Sequence, residues 1–196
     1  MFSTEEFIAD CRSALQSASP AKAVKAVAEL AVSDQAAVVR AFGTPSQAGL
    51  FPLYQSAELT ILNVIWAPGM SIFPHDHRMW AVIAVYQGRE DNAFFKRTAA
   101  GLVRAGRKQL DAGDAVLLGA QTVHAVTNPL AGLTCALQVY GGDFFKESRS
   151  EFDPLTLQER PFDIERAQAV FREANEKPRS EMTMSWRPRR RSAAGS

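Results

Sequence analysis

Residues 67–88 read APGMSIFPHDHRMWAVIAVYQG and contain two of the three histidines of the chain. His75 and His77 stand one residue apart in a segment whose composition is typical of a β-strand. Side chains two residues apart on a strand point to the same face of the sheet. The two imidazoles are therefore predicted to point towards one position, where a metal ion could accept both.

A second stretch carries the remaining histidine of the chain. Residues 113–128 read GDAVLLGAQTVHAVTN and contain His124. If strand pairing brings His124 beside the first pair, every histidine of the protein belongs to one site. Imidazole nitrogen is a suitable ligand for Fe, Zn, Cu and Ni. We therefore predict a metal site formed by His75, His77 and His124.

The segments around these stretches predict the fold class. Short runs of apolar and β-branched residues are separated by turns rich in Gly and Pro, which is typical of an antiparallel sandwich or barrel. Strands do not alternate with helices, which argues against a parallel nucleotide-binding sheet. Strands are predicted over residues 58–66, 79–86, 91–97, 101–110, 115–118, 122–127 and 133–140.

Helical patterns flank the predicted strands on both sides. Apolar residues at helical spacing predict helices over residues 3–17 and 21–31, a third from a Ser33 cap to Phe42, and a fourth over residues 162–175. The first three helices could gate a partner surface or could pack on the outside of a barrel. The predicted organisation is a helical segment over residues 1–45, a β-barrel over 46–150, an extension with a helix over 151–180, and a disordered tail over 181–196.

Length and composition limit the classes of protein to which this chain could belong. With 196 residues, of which 46% are hydrophobic, the chain can bury one core, and a single domain is predicted. The formal net charge of +1 favours neither nucleic acid nor a membrane as a partner. Cys11 and Cys135 show no metal-binding or redox spacing, which indicates a reduced, cytoplasmic protein. Neither a signal peptide nor a membrane-spanning run is predicted, and the oligomeric state is left open.

Four residues of the first stretch keep the spacing of a known motif. Gly69, His75, His77 and Gly88 are placed as in the Gly, His-x-His, Glu and Gly pattern of the cupin superfamily, which this stretch resembles. The glutamate of that pattern is missing, since Ala81 or Val82 occupies its place.

The second stretch resembles the second cupin motif. Gly113, His124 and Asn128 match it, while Gly119 and Gln121 replace its Pro and its second Gly. Together the two motifs extend over residues 67–128. The resemblance implies an all-β fold, the cupin double-stranded β-helix, to which N-terminal helices and a C-terminal helix would be added here.

A His-Asp-His motif without the glutamate resembles the cysteine dioxygenase-like branch of the cupins, the thiol dioxygenases. That resemblance implies one mononuclear non-haem Fe(II) held by three histidines, with a small thiol and O2 as the small-molecule partners. Residues 136–140, ALQVY, resemble the strand on which that branch carries an active-site tyrosine. Tyr140 is therefore the candidate catalytic residue, and an ordinary core aromatic is the alternative. Gln138 stands where that branch often has a histidine.

Three neutral ligands also have a chemical consequence. They leave the charge of a divalent metal uncompensated, which favours an anionic ligand from outside such as a thiolate, an enolate or a carboxylate. Three positions of a six-coordinate metal would stay open for a bidentate substrate and dioxygen. Iron can then pass electrons from substrate to oxygen, whereas zinc has no redox chemistry.

Two departures from the thiol dioxygenase pattern concern the substrate. Val82 replaces a cysteine that some members cross-link to the tyrosine, and Ser56 replaces an arginine that many members use to bind the substrate carboxylate. The substrate then either lacks that carboxylate or binds another cation, and free cysteine is expected to be a poor substrate. The candidate substrate-binding residues are Arg78, Arg97, Gln138 and Trp80, with Lys96 as an alternative to Arg97.

Other interpretations of these residues stay open. Trp80 and Met79 could be pocket walls or core residues, Asn128 is expected to order the turn after His124, and Asp76 is expected to face away from the metal. A three-histidine oxygenase of β-dicarbonyl compounds, with an enolate in place of the thiolate, is the second enzymatic candidate. A cupin that binds a metal or small ligand without catalysis is the candidate from another class.

Overall fold

The computed structural model describes residues 1–99 and 101–176. The helices are α1 (Thr4–Ala14), α2 (Pro20–Ser33), α3 (Gln35–Phe42) and α4 (Ile164–Glu176). The strands of one sheet are β1 (Gly49–Gln55), β2 (Thr60–Trp66), β4 (Ala81–Gln87), β7 (Ala115–Leu118) and β9 (Thr134–Tyr140). Those of the other are β3 (Ser71–His75), β5 (Arg89–Thr98), β6 (Gly101–Asp111), β8 (Val123–Thr127), β10 (Ser150–Phe152) and β11 (Glu159–Pro161).

The order of the strands identifies the fold. The first sheet has the order β1-β2-β9-β4-β7 and the second β11-β10-β3-β8-β5-β6, and every pairing is antiparallel. The consecutive strands β2 to β9 therefore divide between two facing sheets as two interleaved Greek keys, which is the jelly-roll arrangement of cupins. The predicted all-β double-stranded β-helix with N-terminal helices and a C-terminal helix is confirmed.

Both faces of the first sheet are buried. Leu62 and Ile83 point into the core between the sheets, whereas their neighbours on the same strands pack outwards against the helices. Val24, Ala28 and Val32 of α2 cover that outer face. A strand that is covered on both faces needs apolar residues at every position, which explains the unbroken apolar run in β4.

The glycines at the two ends of the first motif are required by the backbone conformation. Gly69 and Gly88 have φ angles of 66° and 78°, in the left-handed region that disfavours other residues. At Gly88, between β4 and β5, a Cβ atom would lie 2.4 Å from Thr134 Oγ1 and 3.0 Å from Thr134 Cα. The motif glycine therefore allows β9 to pass close to this turn.

The end of β3 differs from the prediction. The strand ends at His75, so His77 lies in the turn that leads to β4 rather than on the strand. The reason is that the Asp76 carboxylate accepts a hydrogen bond from Ser150 N (2.9 Å), and Arg78 has a φ angle of 55°, which ends the extended run. The prediction that both histidines lie on one strand is wrong.

The other differences are small. Asp34, rather than Ser33, caps α3, because its carboxylate accepts a hydrogen bond from Ala37 N (3.0 Å). A register shift between β5 and β6 lies at Phe94 and Phe95, and the sequence pattern did not predict it. Strands β1, β10 and β11 were not predicted.

Two segments of the predicted organisation lie beyond the described residues. The predicted tail over residues 181–196, with its arginines, lies outside the described residues, as does the end of the predicted extension from residue 177 onwards. Within the described residues, no helix is both long enough and apolar enough to cross a lipid bilayer.

Candidate metal centre

Strand pairing brings the three histidines together. His75, at the end of β3, is the direct partner of His124 on β8, and His77 reaches the same place from the turn before β4. Their side chains are buried, and one possible ligand nitrogen from each lies within 4.8 Å of the others. The distance between His77 Nε2 and His124 Nε2 is 3.0 Å. The predicted grouping of the three histidines is confirmed, and the group could bind a metal ion.

Hydrogen bonds on the far side of two rings select the nitrogen that faces the site. His75 Nδ1 lies 3.0 Å from the carbonyl oxygen of Phe73, and His124 Nδ1 lies 2.9 Å from Asn92 Oδ1. Since both oxygens are acceptors, each Nδ1 carries the proton and each Nε2 keeps a free lone pair. This arrangement is typical of metal-ligating histidines.

The protonation of the site also suits a metal ion. Burial, with a smaller contribution from the nearby Arg149 cation, lowers the pKa of His75 to about 4, against the opposing effects of the Phe73 carbonyl and Asp76. Burial, together with repulsion from the neighbouring rings, also lowers the pKa of His77 and of His124. Neutral imidazoles are the form that binds metals, so protons compete weakly at neutral pH. Three neutral, buried rings with converging nitrogens fit a divalent transition metal.

Tyr140 and Gln138 lie beside the histidines in the interior. The ring centroids of Tyr140 and His77 are 5.0 Å apart. The phenol of Tyr140 donates a hydrogen bond to Gln138 Oε1 at 2.5 Å. Burial raises the pKa of Tyr140, so the phenol stays neutral. The two residues named from the sequence on β9 are therefore next to the candidate metal centre and bonded to each other.

Trp80 and Met79 pack in different hydrophobic clusters. Met79 belongs to the core between the sheets. Trp80 packs on the outer cluster beside the helices, and its indole contacts the backbone of Gly141 so closely that no side chain would fit there. Both residues also line a cleft of about 490 Å³ next to the turn after β9.

The arginines named from the sequence bind a carboxylate in the turn between the histidines. Arg78 Nε is 2.8 Å from Asp76 Oδ2, and an Arg97 guanidinium nitrogen is 2.6 Å from the same oxygen. Glu159 adds weaker contacts to both, and Lys96 is exposed. Asp76 thus turns away from the metal position, as expected. The structure does not bring Arg78 or Arg97 into contact with the three histidines.

Arg149 is the cation that sequence reasoning missed. Its guanidinium carbon lies 4.0 Å from the ring centroid of Phe144 and 3.9 Å from that of Phe162. These two rings in turn pack against His77 and His75, at 6.2 Å and 5.9 Å between ring centroids. Arg149 is 7% exposed, and burial lowers its pKa to about 10, so it remains charged.

Arg149 also has unused hydrogen-bonding capacity. It donates to the carbonyl oxygen of Phe144, but its Nε is buried without a partner. None of the ion pairs found among the described residues includes it. It lines an open cleft of about 820 Å³ together with Ser148 and Ser150. Arg149 lies just before β10, a strand of three residues that the sequence pattern did not reveal, and this is why it was missed.

Comparison with known proteins gives relatives by fold. No protein-family profile matches the chain. A cupin superfamily protein from Desulfitobacterium hafniense is 20% identical, over 52% of this chain and 83% of its own length, with a TM-score of 0.42. A double-stranded β-helix protein from Klebsiella pneumoniae is 15% identical, over 63% and 87%, with a TM-score of 0.43. An oxalate decarboxylase from Bacillus subtilis is 13% identical, over 51% and 26%, with a TM-score of 0.42.

Proposed function

We propose that this chain is an Fe(II)-dependent dioxygenase, similar to the cysteine dioxygenase-like cupins, that oxidises a small thiol with O2. The observation that carries the proposal is a group of three buried, neutral histidines with no acidic residue among the possible ligands within the described residues. Such a site leaves the charge of a divalent metal for the substrate to compensate, and a thiolate does so well. When bound, iron would supply the redox chemistry by which O2 oxidises the thiol.

Arg149 defines the class of thiol that we propose. Its guanidinium is charged, buried and packed against two phenylalanine rings beside the histidines. A buried guanidinium with a free N–H favours a carboxylate as its partner. The ammonium group of free cysteine would place a second cation beside Arg149. We therefore propose a thiol with a carboxylate and without an ammonium group, for which 3-mercaptopropionate is the test compound.

Tyr140 would orient the reacting atoms. Its phenol proton is directed towards Gln138, so the lone pairs of the oxygen are left to accept, and the ring packs beside His77 with 5.0 Å between centroids. A group on the substrate that carries a proton could donate to this oxygen. In this proposal Tyr140 touches the substrate, and Gln138 holds the phenol in position.

The proposal is tested by oxygen uptake with iron-loaded protein. The panel consists of 3-mercaptopropionate, cysteine, cysteamine and pentane-2,4-dione, a β-dicarbonyl compound. We expect efficient, saturable turnover of 3-mercaptopropionate. Turnover of pentane-2,4-dione with none of the thiols would favour the β-dicarbonyl oxygenase, and no turnover with tight metal binding would favour a binding protein.

The role of Arg149 is tested by Arg149→Gln. A charge-assisted hydrogen bond contributes about 1.5–3 kcal/mol, so KM for 3-mercaptopropionate should rise by roughly 10–150-fold. Cysteamine, which has no carboxylate, should not lose affinity. The matched control is Arg97→Gln, which changes an arginine that already binds Asp76. An equal effect of both variants would contradict the assignment.

A cytoplasmic location is part of the same proposal. It is supported by Cys11 and Cys135, which are both buried and free.

A further inference from the structure

Glu90 is a buried carboxylate that has no part in the proposed function. It lies on β5, is fully buried, and pairs across the sheet with the apolar Leu110. No arginine or lysine forms an ion pair with it among the described residues. A buried acid without a cation is costly unless its oxygens accept hydrogen bonds, and such groups are commonly functional.

The partners of Glu90 are all neutral donors. Glu90 Oε1 accepts a hydrogen bond from Trp66 Nε1 at 2.6 Å and a long one from Gln138 Nε2 at 3.5 Å. Burial raises the pKa of Glu90 to about 7, while hydrogen bonds from Trp66, Asn92 and Gln138 lower it. Glu90 Oε2 and Asn92 Nδ2 are both buried, and neither completes a hydrogen bond of normal geometry. Asn92 is therefore close enough to lower the pKa of Glu90 without completing a hydrogen bond to it.

Two amide side chains connect Glu90 to the site. On one side, Gln138 turns its nitrogen to Glu90 and its oxygen to the phenol of Tyr140. On the other side, Asn92 uses its oxygen to accept a hydrogen bond from His124 Nδ1. Each amide has a donor end and an acceptor end, whereas an ionised carboxylate can only accept. A carboxylate at position 90 therefore favours one orientation of both amides, with each nitrogen towards it and each oxygen towards the site.

We propose that Glu90 is a positioning residue that sets the direction of hydrogen bonding at the metal centre through Gln138 and Asn92. Through Gln138 it directs the phenol proton of Tyr140 inwards and leaves the phenol lone pairs for the substrate. Through Asn92 it keeps the proton of His124 on Nδ1 and leaves Nε2 for the metal. The inference deepens the proposed function, but the hydrogen-bond directions can be measured without any turnover.

The first test is Glu90→Gln, which keeps the size of the side chain but removes the acceptor-only character. The introduced amide must turn its oxygen to Trp66 Nε1 and its nitrogen to the two neighbouring amides. Asn92 then gains by turning its oxygen to that nitrogen and its own nitrogen to His124, which would move the imidazole proton to Nε2. Nitrogen-15 NMR of metal-free protein labelled in histidine, at pH 8, reports this tautomer directly.

We expect wild-type His124 to be wholly in the Nδ1–H form, and Glu90→Gln to contain the Nε2–H form in a comparable amount. Because an Nε2–H nitrogen cannot bind a metal and only about half of the protein would then hold the competent tautomer, the affinity for Fe(II) should fall by at least about 2-fold. An unchanged tautomer with unchanged metal affinity would show that Glu90 only fills space. A changed tautomer in a protein that oxidises none of the thiols would instead overturn the proposed function and leave this inference standing.

A second variant separates the two connections and keeps one buried carboxylate in the interior. In the double variant Glu90→Gln with Gln138→Glu, the carboxylate at position 138 still accepts from Tyr140, while Asn92 no longer faces an acceptor-only group. We expect the His124 tautomers to mix as in the single variant, and the hydroxyl proton of Tyr140 to remain hydrogen-bonded and observable in the NMR spectrum at low temperature, shifted downfield by the charged acceptor. If both variants perturb His124 and Tyr140 equally, the effect is a general loss of packing and the proposal is wrong.

Discussion

Two fully buried acidic side chains, Asp76 and Glu90, differ in everything that surrounds them. Asp76 accepts hydrogen bonds from Ser150 N and Arg97 and forms a further ion pair with Arg78. Glu90 has only neutral donors around its one engaged oxygen. The difference indicates two uses of a buried charge: Asp76 holds the turn that carries His77, whereas Glu90 orients amides that reach the metal centre. The predictions below test this distinction.

The largest expected effect is the loss of the metal centre itself. His124→Ala should lose most of the bound metal, because two imidazoles bind weakly and no other histidine in the chain can replace the third. The measurement is metal content after purification and after reconstitution with Fe(II). A full equivalent of iron bound to this variant would show that His124 on β8 does not belong to the metal site. Asn92→Ala, which removes only the hydrogen bond to His124 Nδ1, should cause a smaller loss.

Tyr140→Phe should leave metal content unchanged and slow turnover. In the proposed function the phenol oxygen accepts a hydrogen bond that orients the substrate, and loss of one such bond costs about 0.5–1.5 kcal/mol, or roughly 2–13-fold in rate. Comparison of kcat and KM for 3-mercaptopropionate separates this effect from weaker substrate binding. A wild-type rate in the Phe variant would show that Tyr140 is only a packing residue of the core between the sheets. Tyr86→Phe, which removes a phenol bonded to Asn63, is the matched control and should not alter the rate.

Asp76→Asn should destabilise the protein, because it leaves Arg78 and Arg97 facing a neutral, buried amide. Removal of one partner from a buried ion pair costs about 3–5 kcal/mol, and the lower end applies because both arginines are partly exposed. Urea unfolding of the metal-free protein measures the change. A loss well below about 1 kcal/mol would mean that Asp76 and Glu90 are less different than their surroundings indicate.

Glu90→Gln should change the pH dependence of stability. Burial raises the pKa of Glu90 from 4.5 to about 7, so the folded state binds the proton more tightly than the unfolded state. Stability from this group is therefore complete below pH 4.5, falls as the pH rises towards about 7, and is constant above. The variant lacks this decline, so its stability relative to the wild type should rise over that interval by about 3 kcal/mol. A difference that is independent of pH would contradict the raised pKa.

The smallest effect is expected from Glu159→Gln, which is also the control for Asp76→Asn. Glu159 contacts Arg78 and Arg97 at 3.7 Å and 3.3 Å, but its side chain is 48% exposed. Exposed ion pairs contribute about 0–1 kcal/mol, so the free energy of unfolding should change by less than about 1 kcal/mol. A loss as large as that of Asp76→Asn would show that burial does not determine the strength of these pairs.

Local sequence patterns predicted the fold class and the three histidines of the candidate metal centre. Both depend on local patterns: turns separated by short apolar runs, glycines at positions of positive φ, and histidines at motif spacing. The capping of α3 and the end of β3 were misplaced by one or two residues, because a turn hydrogen bond such as that of Asp76 depends on a distant residue, Ser150.

Only the tertiary structure decided which charges face the site. Arg78 and Arg97 are close to the histidines in sequence or in strand order, yet Asp76 binds both. Arg149 stands far from His75 in the chain and still packs above it through Phe162. Glu90 carries no motif, and its link to Tyr140 exists because antiparallel strands from distant parts of the chain share one interior. Long-range pairing and burial select such partners, and neither can be read from the spacing of residues along the chain.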